Sequence, residues 1–420
     1  MQDAVMDVDI SQAGALGNGF VDELDKLREA DPVHWSDASH CWLITRHSDV
    51  DDALQGKFPL SLKRIVNILF SGIPEQDRAR TFPTLMRYVP KWIIEQDPPE
   101  HPRLRKLLIK AFNKPVVESV RPFVRARVAL LMNTLAESPE LEFNEQIARL
   151  LPGSVILKLL GLPQELLPRL RGWSMAFMEG IGVPYADIAA KIRADEAMAD
   201  MNDVFAPAIE ERRRSPSNDL LSSMIAATED GQTLSETEML GALQVLIVAG
   251  HDTTSNTLAL GLAALARNPD FWNHLYQHPD STLESCQELM RHIAMSTSQP
   301  RIAAEDFNWH GKQISKGDLI FLMLATANRD PRVFANPSAL QIGRSNDRAM
   351  VFAPGLHHCI GHLLAKMQVS EFFGQLVRRF EGAELLDPQL KFMPQIAFRG
   401  LYELNVRMKP RQSAASSEPQ

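Results

Sequence analysis

"FAPGLHHCIGHLLAKM" (352–367) sets one cysteine behind two histidines and ahead of an apolar run at helical spacing. Apolar residues at 360, 363, 364, 367 and 369, then at 372, 373, 376, 377 and 380, keep the helix period, with Gly361 near its start. Cys359 is therefore expected just before or at a helix N-terminus. Unpaired N–H groups and the positive dipole end there would lower a thiol pKa and favour thiolate. Such a sulfur suits a metal ligand tuned by hydrogen bonds, and it equally suits a nucleophile. A buried thiol that merely sits in a tight turn is the third reading.

The bulk properties narrow the field. The chain has 420 residues, 45% hydrophobic and 23% charged, so a large core can be buried. A net charge of −8 argues against a nucleic-acid footprint, though not against a local basic patch that docks an acidic protein. Cys41, Cys286 and Cys359 are widely spaced with no CxxC pair, which fits a reducing compartment and neither a disulfide scaffold nor a structural zinc site. The acidic N-terminus lacks a signal peptide's pattern. The apolar stretch "MLGALQVLIVAG" (239–250) falls short of the ~18 residues that span a bilayer. These features imply a soluble, cytoplasmic protein with no membrane segment.

Helical spacing covers 20–30, 101–112, 116–136, 164–179, 187–214, 235–267, 280–295 and 361–380. Strand-like pieces are short: 41–46, 312–322 and 401–408. Residues 59–96 and 172–186 look irregular, either lids over a cavity or ordinary loops. The expected fold class is mainly α with a minor β-rich portion. It comprises a flexible N-terminus (1–18), a single domain (19–408) and a disordered tail (409–420).

Two further stretches carry chemistry. In "VAGHDTTSNTL" (248–258), Gly250, Asp252, Thr253 and Thr254 interrupt an apolar helical run, which suggests a kink and a wet pocket. A back-bonded threonine and a solvent-facing aspartate are the plainer reading. In "DPPEHPRLRKLL" (97–108), His101 and Arg105 lie one helical turn apart, a pair suited to a carboxylate-bearing ligand or simply a solvated basic face.

Together the segments resemble one family. FxxGxHxCxG is met by Phe352, Gly355, His357, Cys359 and Gly361; AGxDTT by Ala249, Gly250, Asp252, Thr253 and Thr254; ExxR by Glu288 and Arg291. "HSDVDDAL" (47–54), "DPPEHPRLRKLLIKAF" (97–112) and "ANRDPRVF" (327–334) match in the same order. The chain resembles a cytochrome P-450 of the soluble bacterial kind, a haem-thiolate monooxygenase, over about residues 20–408.

The resemblance implies haem b between a long distal helix and the proximal cysteine-bearing helix. Cys359 would be the axial thiolate on its iron, donating electron density that favours O–O cleavage. His101, Arg105, Arg301 and His357 would hold the haem propionates, and Gly355 and Gly361 would let the backbone pass close to the porphyrin. Asp252 and Thr253 match the acid–alcohol pair that delivers protons. Glu288 and Arg291 match a structural ion pair. Val248, Ala249 and Phe398 fall where substrate is expected, along with 65–92, 173–185, 297–302 and 395–398. His251 is expected on the helix surface.

The sequence departs from the family at two places. Ala353 stands at a glycine-type position, which should stiffen the loop. The family's arginine–phenylalanine pair is replaced by Ala339 and Leu340 in "NPSALQIGR", so the triad with Glu288 and Arg291 is incomplete, or Arg344 or another residue supplies its cation.

The implied reaction is hydroxylation or epoxidation of an apolar small molecule by O2. Electrons would come from a separate ferredoxin and an NAD(P)H-dependent ferredoxin reductase, docked on Arg103, Lys106, Lys110 and Lys114. The alternative is a haem-thiolate ligand-binding or redox-sensing protein, against which the intact Asp252–Thr253 pair argues.

Overall fold

A helix that is apolar on nearly all faces can only be buried, and this one organises the molecule. In the computed structural model, which describes residues 7–63, 68–70, 72–182 and 186–411, helix Glu236–Ala266 runs unbroken through the core. Ser235 caps its start in a reciprocal capping box with Glu238. Helices Leu150–Leu160, Leu167–Gly180, Thr282–Ile293 and His362–Arg379 pack around it. A Cβ on Gly261 would stand 2.6 Å from Phe373 Cζ, so glycine is what lets the cysteine-bearing helix His362–Arg379 close against it.

The observed helices follow the periodicity with three kinds of exception. The span 116–136 divides into Lys114–Ser119 and Arg121–Glu137, because Pro122 can start a helix but not continue one. Helix Leu150–Leu160 escapes pattern reading because only Leu150 and Lys158 are not buried, leaving no polar face. The irregular span 59–96 contains strand Leu60–Ser61 and the short helices Glu75–Thr81 and Pro83–Tyr88, while 172–180 is helical; residues 64–67, 71 and 183–185 of these spans lie outside the described residues.

The strands gather beside the helices. A five-stranded sheet runs Val33–Ser36, Cys41–Ile44, Leu319–Leu322, Gln299–Ala303 and Leu60–Ser61, with the second and third strands parallel and the other neighbours antiparallel. The expected strand 312–322 is in fact two: Lys312–Ile314 forms a hairpin with Phe307–Trp309, and a turn at Gly317 sends Leu319–Leu322 into the large sheet. A three-stranded antiparallel sheet joins Glu140–Glu142, Asn405–Pro410 and Phe380–Leu385.

Near the N-terminus, Val8, Ile10 and Ala13 are buried with Leu24, Leu43 and Phe321, the last two on interior strands of the large sheet. Lys409 and Pro410 belong to a strand, and the rest of the expected tail, from 412, lies outside the described residues. Among the described residues no helix is long and apolar enough to cross a membrane.

Candidate active site

The cysteine turn is held by its own backbone. Cys359 N–H donates to the Phe352 carbonyl (3.0 Å) and His358 N–H to the Gly355 carbonyl (3.1 Å). Gly355 has φ +90°, and a Cβ there would lie 2.0 Å from the Leu54 carbonyl oxygen. Glycine is thus demanded by the neighbouring helix His47–Leu54. Ala353, at a glycine-type position, adopts a left-handed conformation (φ +48°).

Cys359 opens onto a cavity, whereas Cys41 and Cys286 are buried and their thiols are pushed up to about 12 by desolvation. Gly361 caps helix His362–Arg379 and its N–H serves the Cys359 sulfur. The expected net lowering of this thiol is nevertheless not met. Burial holds it above the ordinary thiol range, outweighing the Gly361 N–H and the Arg105 charge.

The cavity encloses about 1750 Å³ of empty space, its mouth to solvent included. Opposite the cysteine turn, Ala249, Gly250, Thr253 and Thr257 of the long helix form a wall. Leu62, Ile93, Leu220, Met224, Met295 and Phe398 enclose the remainder. Ala249 and Phe398 therefore stand where expected, but Val248 does not line the cavity and is buried in the core. At about 100° per residue, 248 and 251 turn away from the face shared by 246, 249 and 253. Segment 173–182 is likewise absent from the lining, its place taken by the short helix Leu220–Ala226.

One side of the cavity gathers histidines and arginines. His101, Arg105 and His357 line it, and Arg301 is buried beside them. The His101 and His357 rings lie 4.0 Å apart, and His101 Nδ1 has no hydrogen-bond partner. Burial, then repulsion from Arg105, drives His101 down to about 4; burial, then His101, Arg301 and Arg105, drives His357 down to about 3. Desolvation also lowers Arg301, to about 10, against the pull of Asp97 and Glu95. Asp97 is already engaged by Ser61 Oγ (2.5 Å) and Leu62 N–H (3.1 Å). Two imidazoles held neutral beside the guanidinium groups of Arg105 and Arg301 offer N–H donors and positive charge together, a seat for an anion.

On the long helix, Thr253 Oγ1 donates to the Ala249 carbonyl at 2.6 Å and faces the cavity. Asp252 is buried rather than solvent-facing. Its Oδ2 accepts from Ser174 Oγ at 2.7 Å, and its Oδ1 lies 3.3 Å from His251 Nδ1. Burial raises this carboxyl, but the His251, Ser174 and Arg149 interactions outweigh it and leave it below its ordinary value. His251, expected on the surface, is fully buried. Ser174 and Arg149 carried no signal in the sequence, since helix Leu167–Gly180 and the turn ending at Arg149 approach only in the fold.

The cytochrome P450 family model matches residues 185–399. The polyketide biosynthesis cytochrome P450 PksS of Bacillus subtilis (strain 168) is 30% identical over 92% of this chain and 95% of its own. The chain belongs to the cytochrome P450 family. The mycinamicin IV hydroxylase/epoxidase of Micromonospora griseorubida is also 30% identical, over 92% of this chain and 94% of the relative. The solved structure of Bacillus subtilis 168 PksS superposes with a TM-score of 0.84 at 29% identity, covering 95% of this chain and 99% of that one.

A cytochrome P450 is a monooxygenase that binds haem b through a cysteine, and the residues here fit that group. An accessible sulfur faces the cavity, and the Arg105 and Arg301 guanidinium groups with the unpartnered His101 nitrogen suit the two propionate carboxylates. In this P450, Glu288 binds Arg291 at 2.8 and 2.9 Å and also Arg344 Nε at 3.1 Å. Arg344 thus supplies the missing cation. The basic patch is less open than expected: Arg103 pairs with Glu238, while Lys106 and Lys110 pair with Glu229.

Proposed function

We propose that this P450 hydroxylates or epoxidises an apolar small molecule, taking electrons from a separate ferredoxin and its NAD(P)H-dependent reductase. The observation that carries the reading is one cavity bounded by the Cys359 sulfur, the Thr253 hydroxyl and a cationic edge. Apart from the histidines, Arg105 and Cys359, no ionisable side chain lines it among the described residues, which favours an apolar occupant. Relatives named as a hydroxylase/epoxidase and a steroid C26-monooxygenase support oxygen insertion into such molecules.

Bound in this cavity, haem supplies one-electron chemistry and the activation of dioxygen. The protein residues have separable tasks. Cys359 would hold the iron as thiolate, its charge stabilised by the Gly361 N–H and Arg105. His101, Arg105, Arg301 and His357 would bind the propionates and fix the cofactor plane. The Thr253 hydroxyl, anchored on the Ala249 carbonyl, would present a hydrogen-bonding oxygen at the cavity wall. Asp252 would bring protons to that hydroxyl from behind the wall. Leu356 and Leu363, exposed beside the cysteine turn, offer an apolar contact for the electron donor.

The test is expression with haem supplementation, followed by the ferrous carbonyl spectrum and turnover with a surrogate ferredoxin, reductase and NAD(P)H. A Soret band shifted as for thiolate ligation, with oxygenated product from an apolar ligand that raises the spin state, is expected. A histidine-like Soret band, or NAD(P)H-dependent turnover that never yields oxygenated product, would defeat the proposal.

A further inference from the structure

Between Glu238 and Gly250 the long helix carries one side chain that can hydrogen-bond, Gln244. Ala242, Val245, Leu246 and Ala249 face the cavity, and at about 100° per residue Gln244 stands roughly half a turn away from them. It is fully buried, where an unpaired amide would be costly. Both ends of the amide are met by other elements. Trp92 Nε1, which can only donate, reaches Gln244 Oε1 at 2.9 Å. Gln244 Nε2 donates in turn to Asn202 Oδ1 at 2.7 Å, on helix Ile188–Arg214.

Trp92 and the two residues after it therefore straddle the long helix. The indole packs on the helix flank, where Gly241 leaves room: a Cβ there would stand 3.3 Å from Trp92 Cδ1. Phe177 lies against the same indole, with ring centroids 5.1 Å apart. Ile93 and Ile94, the next two residues, line the cavity. Gln96 Nε2 donates to the carbonyls of Pro90 (2.6 Å) and Trp92 (3.2 Å), so the segment from 90 to 96 is tied to itself.

We infer that Gln244 is a positioning residue that, through Trp92, fixes how far Ile93 and Ile94 reach into the cavity and so decides how broad a ligand it admits. The inference rests on the reading of this cavity given under Proposed function. A buried polar chain with its partners in place holds one arrangement of the elements it joins, where apolar packing alone tolerates several. Here it joins the long helix, helix Ile188–Arg214 and the cavity wall from 92 to 94. With the amide gone, the indole N–H is left unpaired in the core, and the wall gains by moving outward to water. A ligand that is broad at this wall then binds more tightly, while a narrow one is indifferent.

The test uses the holoenzyme in wild-type form and as Gln244→Leu, Trp92→Phe and the double variant, each checked by its ferrous carbonyl Soret band. Trp92→Phe keeps a ring in place and loses only the donor, so it carries the test if Gln244→Leu does not fold. Two azoles that bind haem iron, narrow imidazole and broad clotrimazole, are titrated by their Soret shifts. Imidazole should bind all four proteins within about twofold. The Kd of clotrimazole should fall about fivefold in either single variant and no further in the double, because each change removes the same bond. Hydrogen exchange read by mass spectrometry should quicken over 89–96 and stay at the wild-type rate over 362–379. An unchanged ratio of the two azole affinities in both single variants would overturn the inference. So would single effects that multiply in the double variant, or exchange that quickens equally throughout the chain. A wild type with a thiolate-type Soret band that binds neither azole would sink the reading of the cavity itself, and the inference with it.

Discussion

Arg344 Nε lies 3.1 Å from Glu288 Oε1, with side chains only 6% and 2% exposed, so one buried carboxylate carries two guanidinium groups. The second partner is Arg291, itself fully buried, which also donates to the carbonyls of Asn328, Pro337 and Ala339. Ala339 thus contributes a backbone oxygen where its side chain cannot contribute charge.

This arrangement ranks two variants. Glu288→Ala leaves both guanidinium groups buried without a counter-ion and should cost about 3–5 kcal/mol. Arg344→Ala leaves Glu288 paired with Arg291 and should cost less, about 1–3 kcal/mol. Urea unfolding of the holoenzyme measures both. An Arg344→Ala protein as stable as the wild type would show that Arg344 does not brace this corner.

Thiol accessibility separates the three cysteines. Cys41 and Cys286 are buried with thiols pushed up to about 12, whereas Cys359 opens onto the cavity. A thiol-titrating disulfide reagent should find no reactive thiol in native holoenzyme, one after haem removal and all of them after unfolding. Two reactive thiols in the native haem-free protein would contradict the packing described for Cys41 or Cys286.

Gly355→Ala should destabilise the cysteine turn. The added Cβ faces the Leu54 carbonyl oxygen at 2.0 Å, and the φ of +90° disfavours any side chain. The cost should be about 2 kcal/mol or more, with lower haem content in the purified protein. Haem content and melting temperature equal to wild type would mean that the turn relaxes freely.

His292 makes stability depend on pH. Burial, then the Arg291 charge, pushes it down to about 4 in the folded protein, against about 6.5 in the unfolded chain. Above the unfolded value both states are neutral and nothing is lost. As pH falls from about 6.5 toward 4, the unfolded chain binds a proton that the folded protein refuses, so stability declines through that window. His292→Gln should flatten this part of the profile in urea unfolding at fixed ionic strength. A variant that loses stability as steeply as wild type between these pH values would show that another group is responsible.

The long helices were legible because neighbours on a helix share a face. The span 235–267 is observed as Glu236–Ala266, and 361–380 as His362–Arg379. The same local logic led Val248 and His251 astray: their motif was visible, but which way the helix was turned was not. Segment 150–160 stayed hidden because burial on nearly every side erases the pattern that amphipathic helices show.

From the amino-acid order came the cysteine before its helix, the polar break at Asp252 and Thr253 and the histidine–arginine turn; the family resemblance those stretches carry implied the acid–alcohol pair and left open whether any residue near Ala339 supplies the triad's cation. Those features are encoded over a few residues, where chain connectivity fixes who stands beside whom. The meeting of His101 with His357, of Ser174 with Asp252 and of Arg344 with Glu288 was decided only by tertiary packing. Such contacts join distant stretches of chain, and no local period records them. What selects them is the joint cost of burying polar groups and the room left by the helices around them.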